Sequence, residues 1–170
     1  MFLHALLRAS SAVLALSMLA GPVPASPATA APSAHRSDYV DASAYLQTDA
    51  GIEAWYALRH NLRRNFDEIC GDTFCEGEYS NIESLRYVCS VHRVNGRIGM
   101  CGWTFAASDE AIDPVAGRIV AQHQGWLCRS PIVAGTTMES FLDALQGEEP
   151  LYAALPATTR TLFDGLVDCL

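Results

Sequence analysis

The stretch IESLRYVCSVHRVNGRIGMCGWTFAA, Ile82–Ala107, decides the fold. Apolar and polar residues alternate on both sides of Asn95-Gly96, the pattern of two half-buried strands joined by a tight turn. The length of that turn settles which side chains meet. A two-residue loop would set Cys89 opposite Gly102 and send Trp103 and Phe105 away from Leu85, Tyr87 and Val91. A three-residue loop, Val94-Asn95-Gly96 with Gly96 left-handed as a bulge residue, shifts the pairing by one. Arg93 then pairs with Arg97, Cys89 faces Cys101, Tyr87 meets Trp103 and Leu85 meets Phe105. Apolar pattern and cysteine position agree on this register, which predicts a Cys89–Cys101 disulfide.

Working outward, a third β-rich run, GRIVAQHQGWLCR (Gly117–Arg129), follows a turn-rich segment Ser108–Gly117 and completes a three-stranded antiparallel meander. Before the hairpin, Ile52, Trp55, Leu58, Leu62, Phe66 and Ile69 recur at helical spacing between an Asp49 or Thr48 cap and Gly71. This predicts a long N-terminal amphipathic helix. After the sheet, Thr136-x-x-Glu139 forms a capping box for a helix carrying Met138, Phe141, Leu142 and Leu145, with Gly147 at its end. Pro150 suits the first turn of a short helix through Leu155, and a last helix spans Thr159 to Cys169. The expected fold is an α+β domain whose helices cover one face of the sheet.

The first thirty of the 170 residues have the form of a secretory signal: Arg8, the apolar run Ser11–Ala20, and the breaker Gly21-Pro22. Residues 31–38 form a disordered lead-in and 39–170 the single folded domain. No lipid-anchoring cysteine follows the apolar run, so the expected product is a soluble periplasmic or secreted protein without a membrane anchor. Its six cysteines, Cys70, Cys75, Cys89, Cys101, Cys128 and Cys169, then serve as disulfides. Beyond the hairpin bridge, Cys70–Cys75 would close a short loop and Cys128–Cys169 would tie the last helix to the sheet. A redox role for Cys70 is disfavoured because it sits at a helix C-terminus, where the dipole opposes a thiolate.

With 11 Lys+Arg against 19 Asp+Glu, the net charge is −8, which argues against a phosphate backbone as partner. All eleven basic residues are arginine, so lysine chemistry is excluded. The one local reversal of charge is the helix face Arg59, His60, Arg63 and Arg64, a candidate partner-binding surface. The segment Asp72–Glu83 partly resembles a calcium loop, with Asp72, Glu76, Glu78 and Glu83 as weak ligand candidates and Gly77 at its sixth place. Phe74 occupies a ligand position, and a strand rather than a helix follows. Neither G-x-S-x-G nor H-E-x-x-H occurs, which leaves His92 and His123 as the histidines available to a hydrolase. No cofactor is implied. The leading expectation is a module that binds another protein, as an inhibitor or immunity protein for a basic envelope enzyme or toxin. A small hydrolase using His92 or His123, and a calcium-dependent envelope module, are the alternatives.

Overall fold

The structure is a computed structural model that describes residues 38–170; the expected signal and lead-in fall outside these residues, Asp38 excepted. Strand β1 (Tyr39–Asp41) runs into a one-turn helix α1 (Ala42–Tyr45) and then the long helix α2 (Asp49–Cys70). Strands β2 (Glu83–His92), β3 (Ile98–Ile112) and β4 (Ile119–Arg129) follow, then helices α3 (Met138–Ala144) and α4 (Leu162–Val167). The sheet is antiparallel in the order β1-β2-β3-β4. Among the described residues it therefore has four strands, not three. The added strand is three residues of β1 pairing Tyr39 with His92 and Asp41 with Ser90, too short to leave an alternating pattern.

Helix α2 starts where Thr48 accepts a hydrogen bond from the Gly51 N–H on its hydroxyl oxygen. Trp55, Leu58, Leu62 and Phe66 form its buried stripe, and Ile52 and Ile69 flank it half-buried. Phe66 carries the helix onto the sheet, its ring 4.7 Å from Phe105 and 5.9 Å from Trp103. Burying side chains of this size contributes about 1.5–3 kcal/mol each, so this contact anchors the layer. Helix α4 joins the same face, with Leu162 and Leu166 beside Trp103 and Cys128. The opposite face bears Val88, Thr104, Met100 and Leu127, the last two 41% and 56% exposed.

The hairpin register is as the sequence predicts at its centre: Cys89 pairs with Cys101 and Tyr87 with Trp103. Two irregularities alter its ends. Ser84 pairs with Phe105 and Arg86 with Thr104, so Leu85 is an extra residue in a bulge and lies 58% exposed instead of meeting Phe105. Ser90 pairs with Met100 but Val91 with Ile98, which makes Gly99 a second bulge residue. The turn accordingly takes four residues, Arg93 to Gly96, with the His92 N–H donating to Arg97 O and the Gly96 N–H to His92 O. His92, not Arg93, faces Arg97. Gly96 does adopt the left-handed conformation, at φ 67°.

Strand β3 continues through Ser108–Ile112, which the sequence places in a loop; these residues pair with His123–Ile119. Solvent on both faces of this ribbon accommodates Asp109 and Glu110. The actual turn is Asp113–Arg118, where Asp113 Oδ1 accepts from the Val115 and Ala116 N–H groups. Helix α3 is capped one residue later than expected, by Thr137 with Ser140, while Met138, Phe141, Leu142 and Leu145 are buried as expected. Pro150–Leu155 forms turns without a helix, and α4 is shortened to six residues capped by Thr161 and Asp164. All three bridges are as expected: Cys70–Cys75, Cys89–Cys101 and Cys128–Cys169.

Candidate functional site

A cleft of about 240 Å³ opens where the second half of α2 crosses the start of β2. Arg59, His60 and Arg63 line one wall because they lie at i, i+1 and i+4 on the helix. Arg86 lines the cleft from β2, and Ser84, Tyr87 and Trp103 lie beneath. The Trp103 indole N–H donates to Ser84 Oγ at 2.9 Å, and the Tyr87 hydroxyl shares a 2.8 Å hydrogen bond with Ser130. Burial pushes the Tyr87 phenol well above its ordinary pKa, opposed by that hydrogen bond, so it stays neutral. The base of the cleft is thus rigid and neutral, and its rim is cationic.

The rim cations differ in how far they are already compensated. Arg63 lies 3.9 Å from Asp67 and 3.7 Å from Glu83, and Arg86 lies 3.3 Å from Asp41. These pairs are exposed and individually weak. Burial alone would raise the Asp41 carboxyl; hydrogen bonds from the Ser43 hydroxyl and N–H, with Arg86 and Arg59 nearby, take it below the ordinary carboxylate range. Arg59 stands with its guanidinium carbon 6.0 Å from the Trp55 ring centre, and no carboxylate lies at ion-pair distance from it among the described residues. Arg59 is therefore the least compensated of the rim arginines.

Arg64 belongs elsewhere. Its guanidinium meets the Glu148 carboxylate at 2.7 Å and donates to the Glu148 carbonyl, while Asn61 and Asn65 donate to Gly147 and Glu148 carbonyls. Three side chains of α2 thereby clamp the turn that follows α3, and the fourth residue of the expected basic face has a structural partner. Arg86 was missing from that face because only the folded chain brings β2 beside α2.

The two sheet histidines lie far apart. His92, near the β2–β3 turn, packs edge-on against Tyr39 at 5.2 Å and accepts the Val94 N–H on Nδ1. His123 sits toward the other end of the sheet, directly opposite Ser108 on β4 and β3. Asn81 holds Ser108 from the side, donating to its Oγ at 3.2 Å and accepting its N–H at 3.1 Å. Glu83 borders the same shallow groove. No hydrogen bond joins His123 to Ser108 among the described residues.

The acids of the calcium-like segment are spread out. Cys70–Cys75 closes its first part, Tyr79 packs edge-on against Trp126 at 5.7 Å, and Glu83 opens β2 facing Arg63. Among the described residues no group of His, Cys, Asp and Glu side chains is arranged to hold a metal ion. A larger concavity, about 500 Å³, lies between the start of α2, the β2–β3 turn and α3, where Glu139 and Asp143 are the charged residues among the described lining. No described helix is long and apolar enough to cross a membrane. No family model, curated protein or solved structure matches the chain.

Proposed function

We propose that the protein is an exported binding module, periplasmic or secreted, that docks another protein and inhibits or neutralises a basic envelope-active enzyme or toxin. The observation that carries this reading is a cleft whose rim brings together Arg59, Arg63 and Arg86, with His60 beside them, in a molecule of net charge −8. A basic cell-wall glycosidase has the converse pattern, a positive surface around a catalytic pair of carboxylates. The acidic surface steers such an enzyme in, and the cleft arginines meet its carboxylates. The rigid base beneath the rim limits the ordering cost of docking.

The experiment is inhibition and direct binding with a basic muramidase at low and high salt. Binding should weaken as salt rises, and Arg59→Gln with Arg63→Gln should abolish inhibition with at most a small change in melting temperature, because the ion pairs lost are exposed and weak. A double variant that binds like the wild type would overturn the reading.

The Ser108–His123 pairing favours a second reading, a small hydrolase with Ser108 as nucleophile and His123 as base. An ester panel with Ser108→Ala and His123→Ala decides it: activity surviving both changes removes this reading. The calcium-dependent module makes a separate demand, that calcium raise the melting temperature and Glu83→Gln cancel the rise.

A further inference from the structure

Among the described residues strand β4 ends the sheet, and no described strand pairs with its far edge. Two backbone hydrogen bonds show which of its groups face outward. The Asp113 N–H donates to Arg118 O at 2.8 Å, and the Ser130 N–H donates to Cys101 O at 3.0 Å. Between these points the register with β3 runs from Ile112↔Ile119 to Gly102↔Arg129 without a shift. Even-numbered residues of β4 therefore bond to β3, and Ile119, Ala121, His123, Gly125 and Leu127 present N–H and C=O at the open edge.

An open edge of this length is a template for another strand unless charge, proline or a covering element blunts it. From Ile119 to Cys128 there is no Asp, Glu, Lys, Arg or Pro, in a chain that is 18% charged. The residues are also symmetric in character about His123. Reversing the strand about that residue sets Gln122 against Gln124, Ala121 against Gly125, Val120 against Trp126 and Ile119 against Leu127.

We infer that β4 pairs antiparallel with β4 of a second copy, about a two-fold axis at His123, to form one continuous sheet. The axis falls on a residue whose backbone groups point outward, so His123 can exchange two reciprocal hydrogen bonds with its own symmetry mate. Every pairing matches polar with polar or apolar with apolar. On the face away from α2, Ile119 comes to lie between Ile112 of its own chain and the second copy's Leu127, covering side chains that are 76%, 73% and 56% exposed. On the other face Val120, 47% exposed, meets the second copy's Trp126. The net charge of −8 on each copy opposes association, and the uncharged edge is where the copies can approach most closely.

Sedimentation equilibrium of the purified protein, across micromolar to millimolar concentration and at two ionic strengths, tests this. The mass should rise from one copy to two and stop there, at lower protein concentration when salt is high, because screening relieves the repulsion. Docking of a basic partner has the opposite salt dependence. Ala121→Pro removes an outward N–H and leaves the β3 ladder intact, so it should stay at one copy with an unchanged melting temperature. Ile119→Arg, which sets a charge against Leu127, should do the same. A single copy at every concentration, growth beyond two copies, or doubling retained by both variants would overturn the inference.

Discussion

Trp103 shows at the scale of one residue how this core combines packing with polar satisfaction. Its ring is 3% exposed among Tyr87, Phe66 and Phe105, and its only polar atom is met by Ser84, itself 6% exposed. Removing one member of a buried pair leaves the other without a partner, which costs about 1–3 kcal/mol. Trp103→Phe should thus destabilise by at least that much in denaturant unfolding, with a further cost for the smaller ring. Ser84→Ala added to Trp103→Phe should then cost less than Ser84→Ala in the wild type. Additive effects in this double-mutant cycle would show that the hydrogen bond contributes nothing.

At the scale of elements, α4 depends on its ends. Six residues are too few for a helix to persist in isolation, so α4 relies on the burial of Leu162 and Leu166 and on the cap and the bridge at its ends. Asp164 accepts the Thr161 N–H and the Thr161 hydroxyl, and these bonds hold its carboxyl below the usual 3.8. The folded value is thus lower than the unfolded one. The stabilisation is present above pH about 4 and is lost as pH falls through the depressed folded value. The wild type should therefore lose more melting temperature between pH 5 and pH 2 than Asp164→Asn does. The bridge acts at the other end: Cys128 and Cys169 are 41 positions apart, a loop whose closure contributes about 4 kcal/mol in the chain-entropy account. Replacing both with alanine should lower unfolding free energy by about that amount, and proteolysis should then cut first within α4.

The same elements show what the sequence could and could not reveal. The β2–β3 pairing was legible because two independent constraints, the apolar pattern and the position of Cys89 relative to Cys101, admit a single register. Neither constraint reaches the bulges at Leu85 and Gly99, so the pairing at the hairpin's ends has no signal in the sequence. Adjacent threonines, Thr136 and Thr137, can both cap, and only the position of Ser140 chooses between them. The candidate site was half legible. Helical spacing grouped Arg59, His60 and Arg63, but Arg64 leaves for Glu148 and Arg86 arrives from a strand, and neither fact has a local signal.

At the scale of the whole domain, helices pack on one face of the sheet, no described helix covers the other, and three covalent links supplement the core. Each link joins cysteines that are neighbours in the list of six: first with second, third with fourth, fifth with sixth. No loop encloses another cysteine. A thiol oxidase acting on a chain that emerges from its N-terminal end would meet each cysteine with its correct mate as the nearest unpaired one. Were the chain exported in this way, mispaired intermediates would arise only when oxidation lags behind emergence, and little thiol–disulfide reshuffling would be needed. Oxidative maturation should accordingly proceed at nearly the same yield in cells lacking a disulfide isomerase and collapse in cells lacking the oxidase, which non-reducing electrophoresis of pulse-labelled protein would reveal.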